Sequence, residues 1–177
     1  RQGARVALII SEGTQDSLDI RRELRYDTYD LDAQYPVALI PAEARYPLTA
    51  RLGPNGETWR PLEAAQLDAI TSAIGEGGYA AVAVCLLHSP ANDAHEQAVG
   101  SSVRKALPDV PLSLSSEIAR EIGEYERMST VAANAYVQPI VSAYLRELTA
   151  RLETLDVSAA LHVMLSNGAF TTADIAA

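Results

Sequence analysis

Thiol chemistry is nearly absent from this sequence. Among 177 residues there is one cysteine, Cys85, set inside the apolar run Ala80 to Leu87. One cysteine closes no intrachain disulfide, so a disulfide scaffold is excluded, and a buried, inert thiol in a reducing, cytoplasmic setting is expected. The apolar runs fall far short of the roughly 20 residues a membrane span needs, so no membrane partner is expected. Arg1 to Ile10 lacks a charged start followed by a long apolar stretch and a small-residue cleavage site, so no secretory leader is expected. No long block of like charge occurs. The net charge of −9 is spread over solvated faces and repels phosphate backbones, so nucleic acid is not an expected partner. Also missing are G-x-x-x-x-G-K-[ST], G-x-G-x-x-G and G-x-S-x-G, which removes the P-loop, dinucleotide-fold and nucleophile-elbow readings.

What is present is globular. A hydrophobic fraction of 48% with 21% charged residues excludes disorder. Arg5 to Ile10 reads as a buried strand, and Thr14 as the cap of a helix reaching about Leu24. Pro36, Pro41 and Pro47 keep the next stretch extended or looped. Tyr46 to Leu52 and Glu57 to Arg60 flank Gly53-Pro54-Asn55-Gly56, a hairpin signal. Glu63 to Ile74 has helical spacing and ends at Gly75, Gly77 and Gly78. Ala80 to Leu87 is a continuous apolar strand of the doubly buried kind. Asp93 and Glu96 have capping-box spacing for a helix to about Leu107. Val110 to Leu114 is another strand.

Arg127 to Leu155 is a long helical stretch whose face is Ile140, Tyr144, Leu148, Leu152 and Leu155. Pro139 inside it predicts a kink or a junction of two helices. Leu161 to Leu165 is the last strand, followed by Ser166-Asn167-Gly168. Strands alternating with helix-length crossovers predict an α/β fold: a mostly parallel sheet with flanking helices and a β-hairpin insertion. The chain opens at Arg1 without a methionine and closes in a helix start after Thr171, which reads as an internal fragment.

Candidate chemistry gathers at strand ends. His88, His95 and Glu96 could converge on a metal, but the cysteine is buried and no H-x-x-x-H pair exists, so helix-start chemistry explains His95 and Glu96 more simply. The loop at His88-Ser89 lies where open parallel sheets bind ligands, beyond a strand's carboxyl end. Glu117, Glu121, Glu124 and Glu126 could supply paired carboxylates or a solvated helix start. Arg127 could hold an anion or join a buried ion pair. Arg25, Asp27, Tyr29 and Asp30 put an anion binder and acceptors in one loop. Ser166-Asn167-Gly168 could present backbone N–H groups to an anion or form an ordinary turn.

Several stretches carry more in combination. They are Arg5 to Gly13, Arg25 to Leu31, Ala83 to Ser89 with Asn92 and His95-Glu96, Leu114 to Glu117, Glu124 to Arg127 with Asn134-Ala135-Tyr136 and Pro139, and Met164 to Gly168. In this order and spacing the chain resembles the hydantoinase A/5-oxoprolinase family, whose members include N-methylhydantoinases, 5-oxoprolinases and acetone and acetophenone carboxylase subunits. The resemblance implies an actin/hexokinase-like ATPase fold. It places residues 1–125 in the family's N-terminal domain and 126–177 at the start of its core domain.

It also implies an enzyme that uses ATP and Mg²⁺ to activate a poorly electrophilic carbonyl. Either a lactam or hydantoin ring is opened by water, or a ketone is carboxylated. The partners implied are a small cyclic amide or ketone substrate and a hydantoinase B-type subunit; a non-catalytic docking role is the further alternative. By resemblance, Arg25, Asp27, His88, Glu117, Arg127, Asn134, Ser166 and Asn167 line or support the substrate cleft. The family's glycine-rich phosphate and adenosine motifs lie before and after the matched region, so the fragment alone is expected to be inactive. Ala169 departs from the glycine usual after Ser-Asn-Gly.

Overall fold

A computed structural model describes residues 3–22, 29–32, 36–157 and 159–176. The core is a four-stranded, wholly parallel sheet. Its strands are β1 (Val6–Ser11), β2 (Arg45–Leu48), β5 (Ala81–Cys85) and β6 (Leu112–Leu114), in the order β2-β1-β5-β6. The unbroken apolar runs of β1 and β5 have a physical reason: both strands are central and every residue in them is buried. A parallel sheet covered on both faces has no polar side to alternate with.

Helices α2 (Ala64–Gly77), α3 (Ala94–Ala106) and α5 (Glu124–Thr154) supply the cover. From α2, Leu67, Ile70 and Ile74 point inward, and the helix ends on Gly78 at φ 62, a left-handed C-cap that favours glycine. Val99 and Val103 of α3 and Met128, Val131, Ala132 and Ala135 of α5 join the same core.

Several expectations are corrected. The stretch Tyr46 to Leu52 is not one hairpin arm. Arg45–Leu48 joins the parallel sheet as β2, and only β3 (Arg51–Leu52) pairs antiparallel with β4 (Thr58–Arg60). The Gly53-Pro54-Asn55-Gly56 turn stands as expected, closed by Gly53 N to the Glu57 carbonyl. Helix α1 spans only Ser17–Ile20, because Arg21 at φ 58 stops it. The Thr14 hydroxyl does not cap it; it donates to the Ser11 carbonyl.

Helix α5 is a single helix running through Pro139 rather than two meeting there. Proline cannot bond to the preceding turn. In that loosened turn the Tyr136 carbonyl takes Ala4 N and the Tyr136 hydroxyl takes Gly3 N, so the lead-in to β1 is fastened to the helix at this point. Beyond the sheet, the apolar face of α5 is only partly covered among the described residues: Ile140, Tyr144 and Leu155 are exposed and Leu148 and Leu152 half-buried. The strand expected at Leu161 to Leu165 does not enter the sheet. It forms β7 (His162–Met164), which pairs antiparallel with β8 (Phe170–Thr172) ahead of the short α6 (Ala173–Ala176). Alternating apolarity predicts a strand but not which sheet it joins. Among the described residues no helix is long and apolar enough to cross a membrane.

Cys85 ends β5 with no accessible surface, and burial pushes its thiol up to about 11 against the opposing pull of Arg127. The thiolate is the reactive species. Iodoacetamide at pH about 8 is therefore expected to leave Cys85 unlabelled in folded protein and to label it fully in denaturant, read by intact mass. Fast labelling of folded protein would contradict this placement.

Candidate functional site

The sheet order sets where a ligand can lie. The chain steps from β1 to β2 on one side, then crosses back over β1 to place β5 on the other. Connections leaving neighbouring parallel strands in opposite directions open a crevice beyond their carboxyl ends. Here that position follows Ser11 and Cys85. The two strand ends are tied there, since the Ser11 hydroxyl accepts Leu87 N at 2.9 Å.

The floor of this region is a buried polar network. Glu96 has no accessible surface and Arg127 is 3% exposed. One Glu96 oxygen accepts Leu86 N at 2.8 Å and the Ser115 hydroxyl at 2.6 Å, and the other accepts Ser116 N at 2.8 Å. Arg127 donates Nε to the Ser115 oxygen at 3.0 Å, one terminal nitrogen to the Leu86 carbonyl at 2.7 Å, and the other to the Glu121 carbonyl at 3.3 Å. The one Ser115 proton goes to Glu96, so the Ser89 hydroxyl, 3.3 Å away, is the donor in that contact. Ser115 thus links an acid and a base that do not touch directly. The capping-box role expected for Glu96 is corrected: it turns into the core, and the Asn92 side chain accepts Ala94 N at the helix start instead.

Above the network lies a cleft of about 740 Å³. Pro54, Leu87, Pro90, Ala91 and Ile122 make its apolar walls, and His88, Arg120, Glu124 and Arg127 bring polar groups. His88 sits at φ 63, a region that non-glycine residues seldom adopt outside tight functional turns. Its carbonyl accepts Ala91 N and Asn92 N, which curls the loop back on itself. Asn92 in turn donates to the Gly56 carbonyl at 2.8 Å and so holds the hairpin tip against this loop. Gly56 is at φ 85, and a Cβ there would come within 2.9 Å of Asn92 Cβ, so glycine is required for the approach.

Glu124 begins α5. Its Oε1 is shielded from solvent and has no donor among the described residues. Burial raises its carboxyl above the usual range, outweighing Arg127, the Thr14 hydroxyl, Arg51 and His88, which pull it down.

The residues singled out from the sequence are dispersed. His88 and Arg127 meet in the cleft. Glu117 is exposed on α4 (Ser115–Ile118) and pairs outward with Arg104 at 3.6 Å and Gln97 at 3.3 Å. Asn134 donates to the Ser113 hydroxyl at 2.9 Å, which clasps α5 to β6. Ser166 and Asn167 are exposed in the β7–β8 turn, where the Asn167 side chain accepts Ala169 N at 3.0 Å. None of these four lines the cleft. Arg25 and Asp27 lie outside the described residues. Glu126 takes no part in the buried network around Arg127 and pairs instead with Arg22. Glu124 was visible in the sequence only as one carboxylate among several, and no local spacing marks it as the one facing a cleft.

Two outcomes are expected. Glu96→Ala leaves two backbone N–H groups and a hydroxyl without their acceptor and the buried Arg127 without its nearby counter-charge. It should destabilise the fold by roughly 3–5 kcal/mol, read by urea denaturation. A loss under about 1 kcal/mol would show that the network is not needed for stability. For Glu124, a raised folded-state value means that the ionised carboxylate opposes folding once the pH exceeds that value. The penalty is relieved as pH falls through it and vanishes below the unfolded value of about 4.3. Glu124→Gln should therefore raise the unfolding temperature at neutral pH, with the gain shrinking toward pH about 4. A gain independent of pH would contradict the assignment.

Comparison with known proteins follows the geometry. Residues 1–107 match the hydantoinase/oxoprolinase N-terminal region, and residues 127–177 match the hydantoinase/oxoprolinase model. The chain is 35% identical over 170 residues to caprolactamase subunit alpha of Pseudomonas jessenii, covering 95% of this chain and 24% of that one. The crystal structure of the ATP-dependent caprolactamase from that organism superposes with a TM-score of 0.89 at 34% identity, over 97% of this chain and 25% of that one. The acetophenone carboxylase gamma subunit of Aromatoleum aromaticum is 29% identical over 151 residues, covering 78% of this chain and 21% of that one. The chain therefore spans about a quarter of the length of these relatives. With a family match across more than half its residues and the same parallel sheet and flanking helices as the caprolactamase, the chain belongs to the hydantoinase/oxoprolinase family.

Proposed function

We propose that this chain is part of an ATP-dependent hydrolase that opens cyclic amides, and that the cleft at the β1/β5 crevice forms part of its substrate pocket. The observation that carries this reading is the 35% identity to a caprolactamase subunit along 95% of the chain. The cleft supports it chemically. Apolar walls with a few convergent polar groups suit a small ring molecule.

The same residues do not make a nucleotide cradle. A triphosphate entering this cleft would meet the Glu124 carboxylate, and Arg127 has already directed three donors to Ser115, Leu86 and Glu121. The sequence holds no glycine-rich phosphate loop. ATP and Mg²⁺ are therefore assigned to other parts of the complete enzyme, and no chemical step is routed through them here. What this chain's residues contribute is binding, orientation and exclusion of water. The amide carbonyl of a lactam is unreactive because of resonance, so holding the ring in one orientation is a substantial part of the work.

A second reading is a ketone carboxylase subunit, favoured by the 29% identity to the acetophenone carboxylase gamma subunit. Both named relatives are subunits, which supports a working partnership with a second, hydantoinase B-type subunit.

The test is the full-length protein, purified with its partner subunit and assayed for ATP hydrolysis in the presence of Mg²⁺. The panel holds caprolactam, 5-oxoproline and hydantoins on one side, and acetone or acetophenone with bicarbonate on the other. Stimulation by a cyclic amide, with the opened ring as product, is the expected result. Stimulation by a ketone with bicarbonate alone would favour the carboxylase. A folded complex that no compound stimulates would count against both and leave a docking role.

A further inference from the structure

Polar accounting singles out one group that the family assignment does not explain. Among the described residues, two buried side-chain oxygens have no hydrogen-bond partner, Glu124 Oε1 and Ser116 Oγ. Glu124 also lines the cleft at the β1/β5 crevice. An ionised carboxylate only accepts hydrogen bonds. Leaving one of its oxygens away from both water and a donor is unfavourable unless a ligand supplies the donor. A change of rotamer at the first two glutamate torsions, unlike a turn of the symmetric carboxylate about the last, carries the whole group toward an occupant of the cleft.

The surroundings select the ligand's charge. Arg127 on the same helix, Arg120 from the preceding loop, Arg51 from β3 and His88 after β5 all bear on this carboxylate or its cleft, as does the Thr14 hydroxyl, whose proton goes to the Ser11 carbonyl. An anion would be driven off by Glu124. A cation would face three guanidinium groups. A ketone brings only an acceptor, which Glu124 cannot use. What remains is a neutral molecule with an N–H donor and an apolar body that fits against Pro54, Leu87, Pro90, Ala91 and Ile122. The ring of a cyclic secondary amide has this character. Its carbonyl lies beside its N–H, and the Arg120 guanidinium lining the same cleft is a donor for that carbonyl.

We propose that Glu124 is the residue that binds the ring N–H of the cyclic amide, and so separates such a substrate from a ketone. This rests on the cyclic-amide reading given above. In this assignment Glu124 is a binding and specificity residue. Arg127 is held in place by the buried network beneath the cleft.

The test uses the full-length protein with its partner subunit, titrated calorimetrically with ε-caprolactam and with N-methylcaprolactam, which has no N–H. Wild type, Glu124→Gln and Glu124→Leu are compared, with circular dichroism as the check on folding. Caprolactam affinity is expected to fall roughly 10- to 100-fold in Glu124→Leu and less in Glu124→Gln, which keeps a neutral acceptor. N-methylcaprolactam is expected to bind weakly, and alike, to all three proteins. If Glu124→Leu does not fold, the Gln variant and the two-ligand comparison on wild type still decide the matter. Equal binding of the two lactams to wild type, unchanged caprolactam binding in the variants, or no lactam binding at all would each overturn the proposal. ATP hydrolysis measured on the same samples separates the two readings. Lactam binding that needs Glu124 but stimulates no hydrolysis would sink the enzyme assignment and leave the binding role standing. Stimulated hydrolysis with binding indifferent to Glu124 would do the reverse.

Discussion

The arrangement at the head of this sheet depends on one buried polar knot, in which Ser115 stands between Glu96 and Arg127. It joins four pieces of chain: the turn after β5, the first turn of α3, the β6–α4 junction and the start of α5. Charges this deep are costly to desolvate, and they are tolerated only when nearly every lone pair and proton is used. Here Glu96 takes three donors and Arg127 gives three, two of them to backbone carbonyls at strand and loop ends. The directional demand of these bonds fixes the register of α5 against the sheet more narrowly than apolar packing alone would.

The cleft is a consequence of that fixation. Because Arg127 is pinned, Glu124 one turn earlier is delivered to the mouth of the β1/β5 crevice. On the opposite wall the hairpin tip is held by Asn92 against the loop carrying His88. The hairpin is itself fastened to the end of β1, where Arg51 donates to the Glu12 carbonyl and Arg60 pairs with the Glu12 carboxylate. A second buried anchor, Arg45, donates to the Ile40 and Gln15 carbonyls and to Asp19, whose carboxyl that bond holds below its usual value. These anchors use polar side chains to position backbone, and the apolar residues between them supply the driving force for burial.

Much of the fold was legible because it is written in local patterns. The apolar runs of β1 and β5, the 3.6-residue spacing of α2 and α3, and the Asn-Gly turn at residues 55–56 each carry their conformation in a few neighbouring side chains. The misses share one cause. Glu96 has the spacing of a cap, and Leu161 to Leu165 the pattern of a sheet strand. In both cases what decided the outcome was a group distant in the chain. Of the residues expected at the site, His88 and Arg127 do meet in the cleft, while Glu117, Asn134, Ser166 and Asn167 are directed elsewhere.

By itself the amino-acid sequence determined the α/β class, the order of the elements and, through several short stretches in register, the family. These follow from local preference and from residue order, neither of which needs a third dimension. Only the tertiary structure decided which strands became neighbours, where the crossing over β1 opened a crevice, and which carboxylate was left without a donor inside it. A hydrogen bond joins atoms within about 3 Å, whatever separates them along the chain. Whether Glu96 meets Ser115 or Glu124 faces a cleft is therefore settled by packing, and no spacing of residues states it in advance.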